Sequence, residues 1–113
     1  MTDFVFLFRT PGYDPSAASP ADMQALLERW SQWIGGIEAE DKLVSHGNRL
    51  SKEGRVLKAG GVVTDGPFVE IREILGGFIV VRAADLDEAT TLAHGCPALT
   101  IGGSVEIRPL FKA

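Results

Sequence analysis

The sequence has a single cysteine, Cys96, so no disulfide forms within the chain, and a reducing cytoplasm is the expected compartment. It has only two histidines, His46 and His94. Neither stands at metal-ligand spacing from another His or Cys, so no metal site is expected. No apolar run approaches the roughly 20 residues that a bilayer-spanning helix requires. The opening MTDFVFLFRTPG carries an acid early and falls into a strand pattern, so it does not read as a signal peptide. Positive charge is scarce: 11 Lys and Arg against 15 Asp and Glu leave a net charge of −4. A nucleic-acid surface needs clustered cations to neutralise phosphates, so that class of partner is not expected. The glycine pairs at 60–61, 76–77 and 102–103 read as punctuation between strands. None opens a helix, so none forms a phosphate-binding loop, and no cofactor is expected.

What remains is an ordinary globular composition, 45% apolar and 23% charged, in 113 residues. That length suits one domain, 1–113. FVFLFR (4–9) alternates Phe4, Phe6 and Phe8 against Val5, Leu7 and Arg9. Both sets are largely apolar, which predicts a strand buried on both faces. Residues 10–19, TPGYDPSAAS, are turn chemistry. Ser19-Pro20-Ala21-Asp22 predicts a helix start, with Ser19 as cap, Pro20 at the first helical position and Asp22 at the positive end. Met23, Leu26, Leu27, Trp30, Trp33, Ile34 and Ile37 then recur at helical spacing. Gly35-Gly36 breaks this run; it is expected to mark a close approach to the sheet or a kink, the alternative being a gap that admits a ligand.

Strands are expected in 43–51, 55–64, 76–83 and 102–111, with 68–75 extending a hairpin. Asp85 and Glu88 open a second helix with inner residues Leu86, Ala89, Leu92 and Ala93, and Gly95 is expected to stop it. The order predicts an α+β domain: a ferredoxin-like split βαβ with an inserted hairpin, an antiparallel sheet and two helices on one face. Two helices cover only one face of such a sheet. The apolar second face predicts a homodimer formed through the sheet faces.

The chemistry-bearing candidates are few. Asp65, in the stretch TDGPF, serves either as a turn residue accepting from nearby backbone N–H groups or as a general base at the mouth of a cavity. His46 is the other candidate acid–base group, as imidazole exchanges protons near neutral pH. Arg72 is a candidate anion ligand, against a plain reading in which Glu70, Arg72 and Glu73 form a solvated hairpin face. Arg9 sits on a face committed to burial and needs a partner; Glu106 or an acid of a second subunit supplies one, and ligand binding is the sharper alternative. Trp30 and Trp33 suit the core, or one of them lines an aromatic-binding cavity. His94 near a helix C-terminus suits the dipole. Cys96 reads as a small buried residue rather than a nucleophile.

TDGPFVEIREILGGF, DLDEATTLAHGCP and GGSVEIRP together resemble the YCII-related family, in its DGPF-domain branch; SPADMQALLERWSQWIGGI and LVSHGNRLS fit the same pattern. The resemblance covers most of the chain. It implies a ferredoxin-like fold that pairs into a dimeric α/β barrel. Relatives include a lyase that removes chloride from chlorinated hydroquinones. Members of the broader family carry a His–Asp pair with the His on the first helix; residues 20–42 here contain no His, so that pair does not carry over. Some branch members stand beside or are fused to sigma factors. Two functions follow as expectations. One is a cofactor-free lyase, isomerase or binder of a small organic, even cyclic, molecule between paired sheets. The other is a non-catalytic interaction module linked to transcription.

Overall fold

The computed structural model describes residues 1–11, 19–51, 53–65 and 73–111. Its elements run β1 (Thr2–Pro11), α1 (Pro20–Ala39), β2 (Leu43–Arg49), β3 (Arg55–Leu57), β4 (Val63–Asp65), β5 (Glu73–Ala83), α2 (Leu86–Ala93) and β6 (Ser104–Pro109). A 3₁₀ turn at Pro97–Ile101 leads into β6. The main sheet has the order β2-β5-β1-β6, and the pairings are antiparallel. Each helix thus joins two strands that a third strand separates. This is the ferredoxin-like α+β arrangement, with β3 and β4 forming a separate two-stranded hairpin between β2 and β5.

The caps explain where the helices start. Ser19 Oγ accepts from the Asp22 N–H at 3.0 Å, and Asp85 Oδ1 accepts from the Glu88 N–H at 2.8 Å. Glu88 reaches back to the Ala84 N–H at 3.4 Å, one residue ahead of the usual capping-box donor. Gly95 does not end α2 by adopting a left-handed conformation; positive φ is found at Gly47, Gly60, Gly61 and Gly102 but not at Gly95. Its place is fixed by a neighbour instead. A Cβ there would lie 2.9 Å from Trp33 Cδ1.

The core lies between the helices and one face of the sheet. Phe4, Phe6 and Phe8 of β1 and Ile79, Val81 and Ala83 of β5 are buried, with Ile37, Ala89 and Ala93 from the helices above them. The opposite face carries Val5, Leu7, Phe78 and Val80, which the register sets side by side and which are half-buried. Charges rim this strip: Arg82 pairs with Asp3 at 3.1 Å, and Arg9 pairs with Glu106 at 2.6 Å.

Two expectations about packing need correction. Gly35 and Gly36 do not mark a close approach to the sheet, for α1 runs unbroken through them and an added Cβ at either meets nothing within 4 Å. Both face solvent. Leu86, assigned to the inner stripe of α2, is 52% exposed; it is the first residue of the helix, and the buried residues Ala89 and Ala93 lie in later turns.

Candidate functional site

The two halves of α1 sit differently on the sheet. The C-terminal half is tied down: Ile37 is buried, and Trp33 Nε1 donates to the Leu92 carbonyl at 3.0 Å. The N-terminal half stands off. Met23, Leu26 and Trp30 are half-buried there, and Leu27 is 43% exposed. The space left beneath is a cavity of about 320 Å³.

Its roof is the α1 side chains Met23, Leu26, Leu27, Trp30 and Ile34. Its floor is Phe8 and Ile79 together with Gly76 and Gly77. The floor is low there for a local reason. The β1–β5 register shifts between Phe8 and Arg9, so that Phe8 opposes Gly77 and Arg9 opposes Leu75. Gly76 is the extra residue of this bulge, and neither glycine offers a side chain to fill the space. The third wall is β2, which contributes His46, Asn48 and Arg49. Gly47 has φ 58°, which favours glycine, and the β2–β5 register is irregular around it.

Aromatic rings dominate one end of the cavity. The Trp30 and Phe8 centroids are 4.8 Å apart at 75°, an edge-to-face pair, and Trp33 meets both rings at 5.7 Å. Polar side chains are few: Thr10 at the end of β1, and His46, Asn48 and Arg49 on the β2 side. His46 Nε2 lies 3.8 Å from Glu38 Oε2, with both side chains exposed to solvent. An apolar pocket with a few polar groups on one wall is suited to orienting a small organic molecule.

Of the residues expected from the sequence, Trp30 and His46 meet around this cavity. Arg9 does not. It lies on the far face of the sheet, where Glu106 takes its guanidinium, the ion-pair alternative named above. Asp65 closes β4 opposite Arg55; its side chain lies outside what is described, as does all of Arg72. Cys96 is 1% exposed, and burial pushes its thiol up to about 11 against a smaller opposing hydrogen bond with the Ala98 backbone. Such a thiol is a packing group rather than a nucleophile. Among the described residues, no group of three or more His, Cys, Asp or Glu side chains is placed to hold a metal ion. Among them too, no helix is long and apolar enough to cross a membrane.

Reasoning from the sequence missed Phe8, Asn48, Arg49 and the glycine floor. Alternation along β1 did put Phe8 on the face of Phe4 and Phe6. Nothing in LVSHGNRLS distinguished Arg49 from any solvated edge residue.

Fold and site together define a ferredoxin-like α+β domain with an apolar pocket under its first helix. The chain belongs to the YCII-related domain family, whose model matches residues 24–113. It is similar to an uncharacterised protein of Rhizobium meliloti (strain 1021), 46% identical over 50 residues. That match takes in 43% of this chain and spans 40% of the relative's length. Among solved structures it is similar to 5-chloro-2-hydroxyhydroquinone dehydrochlorinase from Burkholderia phenoliruptrix AC1100 in complex with 2,5-dihydroxybenzoquinone. The identity is 15% and the TM-score 0.48, over 98% of this chain and 95% of the other. A likeness this distant carries no argument about activity.

Proposed function

We propose that this YCII-related domain binds a small cyclic organic molecule in the cavity beneath the N-terminal half of α1. The observation that carries the reading is the cavity itself: about 320 Å³, roofed and floored mainly by apolar and aromatic side chains, with a few polar groups that gather on the β2 wall apart from Thr10 of β1. His46 stands at that wall as the proton-exchanging group. Its imidazole takes a proton from a ring carbon or hydroxyl; returning it to another carbon as the double bond shifts is an isomerisation, and keeping it while a substituent departs with its bonding electrons is an elimination. Such a step needs no cofactor. Arg72 immediately precedes β5, whose Gly76 and Gly77 lie in the cavity floor, so Asp65 and Arg72 remain the further groups proposed to act there.

The domain works as a homodimer in this reading. Val5, Leu7, Phe78 and Val80 form a half-buried apolar strip on the face without helices, and a second copy is its cover. Light scattering at micromolar concentration tests the pairing; a mass near that of one chain would sink it. Val80→Asp places a charge in the strip and should dissociate the dimer. Val81 is fully buried under the helices, so Val81→Asp should unfold the protomer instead.

For the pocket, thermal melts with single-ring and fused-ring organic compounds supply the test. Binding to the native state should raise the melting temperature. Leu26→Trp, which fills the cavity from its roof, should abolish that rise. No shift with any ring compound, or a shift that Leu26→Trp leaves intact, would defeat the reading. His46→Gln should keep the binding and lose proton exchange. The second reading, an interaction module, draws support from the β3–β4 hairpin and its approach, where Leu57, Val62 and Val63 are 71%, 56% and 54% exposed.

A further inference from the structure

The cavity's geometry and charge together narrow the class of its ligand. The walls are uneven. Phe8 and Trp30 present rings on one side. Beside Phe8 and Ile79, Gly76 and Gly77 leave part of the floor without side chains. A flat guest fits between these better than a bulky or branched one, and it adds a further ring to an edge-to-face cluster. Size agrees. A cavity of about 150 Å³ holds one benzene ring, so 320 Å³ suits a substituted ring or a fused pair.

The polar wall has one sign. Among the described residues, Arg49 is the only fully charged side chain in the lining, and no carboxylate lines the cavity. Nor does any described carboxylate pair with Arg49. The acids paired with other cations on or beside β2 are taken up there: Glu38 lies against His46, and Glu40 and Glu88 lie against Lys42. An arginine with no acid among the described residues, beside an apolar cavity, offers its planar fork to a carboxylate or a comparable oxyanion. Asn48, next to it, adds an amide that donates or accepts.

We infer that the ligand is a planar ring compound carrying one anionic group, with the ring between Trp30 and the Gly76–Gly77 floor and the anion on Arg49. This rests on the pocket reading above and goes further by fixing the ligand's shape and charge. His46 flanks the same wall, so the ring carbons nearest the anionic substituent are the ones within its reach.

Isothermal titration of the whole chain with three probes tests it: 1-naphthoate, its neutral analogue 1-naphthalenemethanol, and octanoate as a flexible anion. Naphthoate should bind about tenfold more tightly than the alcohol, the scale of one charge-assisted hydrogen bond at a solvent-facing rim. Octanoate should bind more weakly than naphthoate. Arg49→Gln should bring naphthoate down to the level of the alcohol and leave the alcohol unchanged. Arg49 is exposed, so this variant should melt like the parent. Equal binding of naphthoate and the alcohol, or a preference that survives Arg49→Gln, would overturn the anionic half of the inference while leaving the pocket intact. Octanoate matching naphthoate would overturn the planar-ring half. Failure of all three probes to bind would remove the pocket reading and this inference with it.

Discussion

Trp30 and Trp33 lie one turn apart on the same helix, yet they do different work. Trp33 is a structural pillar. It stacks on Phe6 at 6.3 Å, donates to the Leu92 carbonyl at 3.0 Å and closes against Gly95. Trp30 meets Phe8 and Trp33 but otherwise faces the cavity. What separates them is the partner surface available. Near Trp33, α2 and the segment after it rise to meet α1. Near Trp30 no second helix adjoins among the described residues, and beside Phe8 the sheet has two glycines. Residue type and helical spacing are shared; the cavity comes from what lies opposite.

The comparison breaks first under truncation. Trp33→Ala should cost about 3 kcal/mol, the low end of the range for removing a large core aromatic because its ring is only partly buried, and leave the Leu92 carbonyl without its donor. Trp30→Ala should cost less, about 1–2 kcal/mol, because part of its ring already faces open space. Denaturant melts of both variants measure this. Equal costs would mean that Trp30 is as much a pillar as Trp33 and that the cavity is not a standing feature of the fold. Gly95→Ala probes the tight end alone. Its new Cβ would sit 2.9 Å from Trp33, so the ring must shift, at a cost of about 1–3 kcal/mol. A neutral result would show that Trp33 is free to move.

The tight end is also where alkali should act. Burial raises the Cys96 thiol from 9.0 to about 11, with the Ala98 backbone hydrogen bond pulling the other way. The raised value means that the folded chain holds the proton longer than the unfolded chain does. Its contribution to stability is therefore complete below pH 9 and is lost as pH rises from 9 to 11. Alkali acts on more than this thiol, so the readout is the difference between the parent and Cys96→Ala. The parent should lose the larger share of its stability across that window. Alkylation with iodoacetamide at pH 8 should be slow in the native state and fast in denaturant. Identical alkaline profiles would show that the thiol is hydrated.

Much of this architecture is legible without coordinates. Ser19 and Asp85 mark helix starts because a short oxygen-bearing side chain before an apolar run has few other uses. Strict alternation in FVFLFR assigns Phe4, Phe6 and Phe8 to one face, and the element order then leaves few topologies. Arg9 needed an acid, and Glu106 lies on the neighbouring strand β6, opposite Leu7 and two residues along from Ser104, the register partner of Arg9. The site was less legible. His46 and Trp30 are recognisable as residue types, but that they share a cavity depends on how high α1 rides. That height follows from contacts between segments far apart in the chain, Trp33 with Leu92 and Gly95 above all. Local pattern carries no trace of them. Gly95 shows the same limit: one residue past a helix end, it reads as a helix stop, and its actual constraint is a ring from another helix.

The smallest expected effect concerns Gly35 and Gly36. They follow directly on Trp33 and Ile34, on the helix that bridges the tight and the open regions. A glycine inside a helix normally costs about 1 kcal/mol relative to alanine, because the unfolded chain has more freedom to lose. Proteins keep such a glycine where something presses close or where φ is positive. Neither applies here: both residues are helical and exposed, and an added Cβ meets nothing within 4 Å. Gly35→Ala and Gly36→Ala should therefore each stabilise the chain by about 0.4–1 kcal/mol, raising the melting temperature by a few degrees. Both changes together should roughly add, since neither shares a packing partner. The ring-compound melts then sharpen the comparison between the two ends of α1. If the open end is held by the sheet and by Trp30, ligand-induced shifts should be the same in the alanine double variant. If the glycines let the N-terminal half of α1 lift to admit a ligand, the variant should be more stable yet gain less from the same compound. Destabilisation by either alanine would show instead that a second surface, such as another copy of the chain, packs against this stretch of helix.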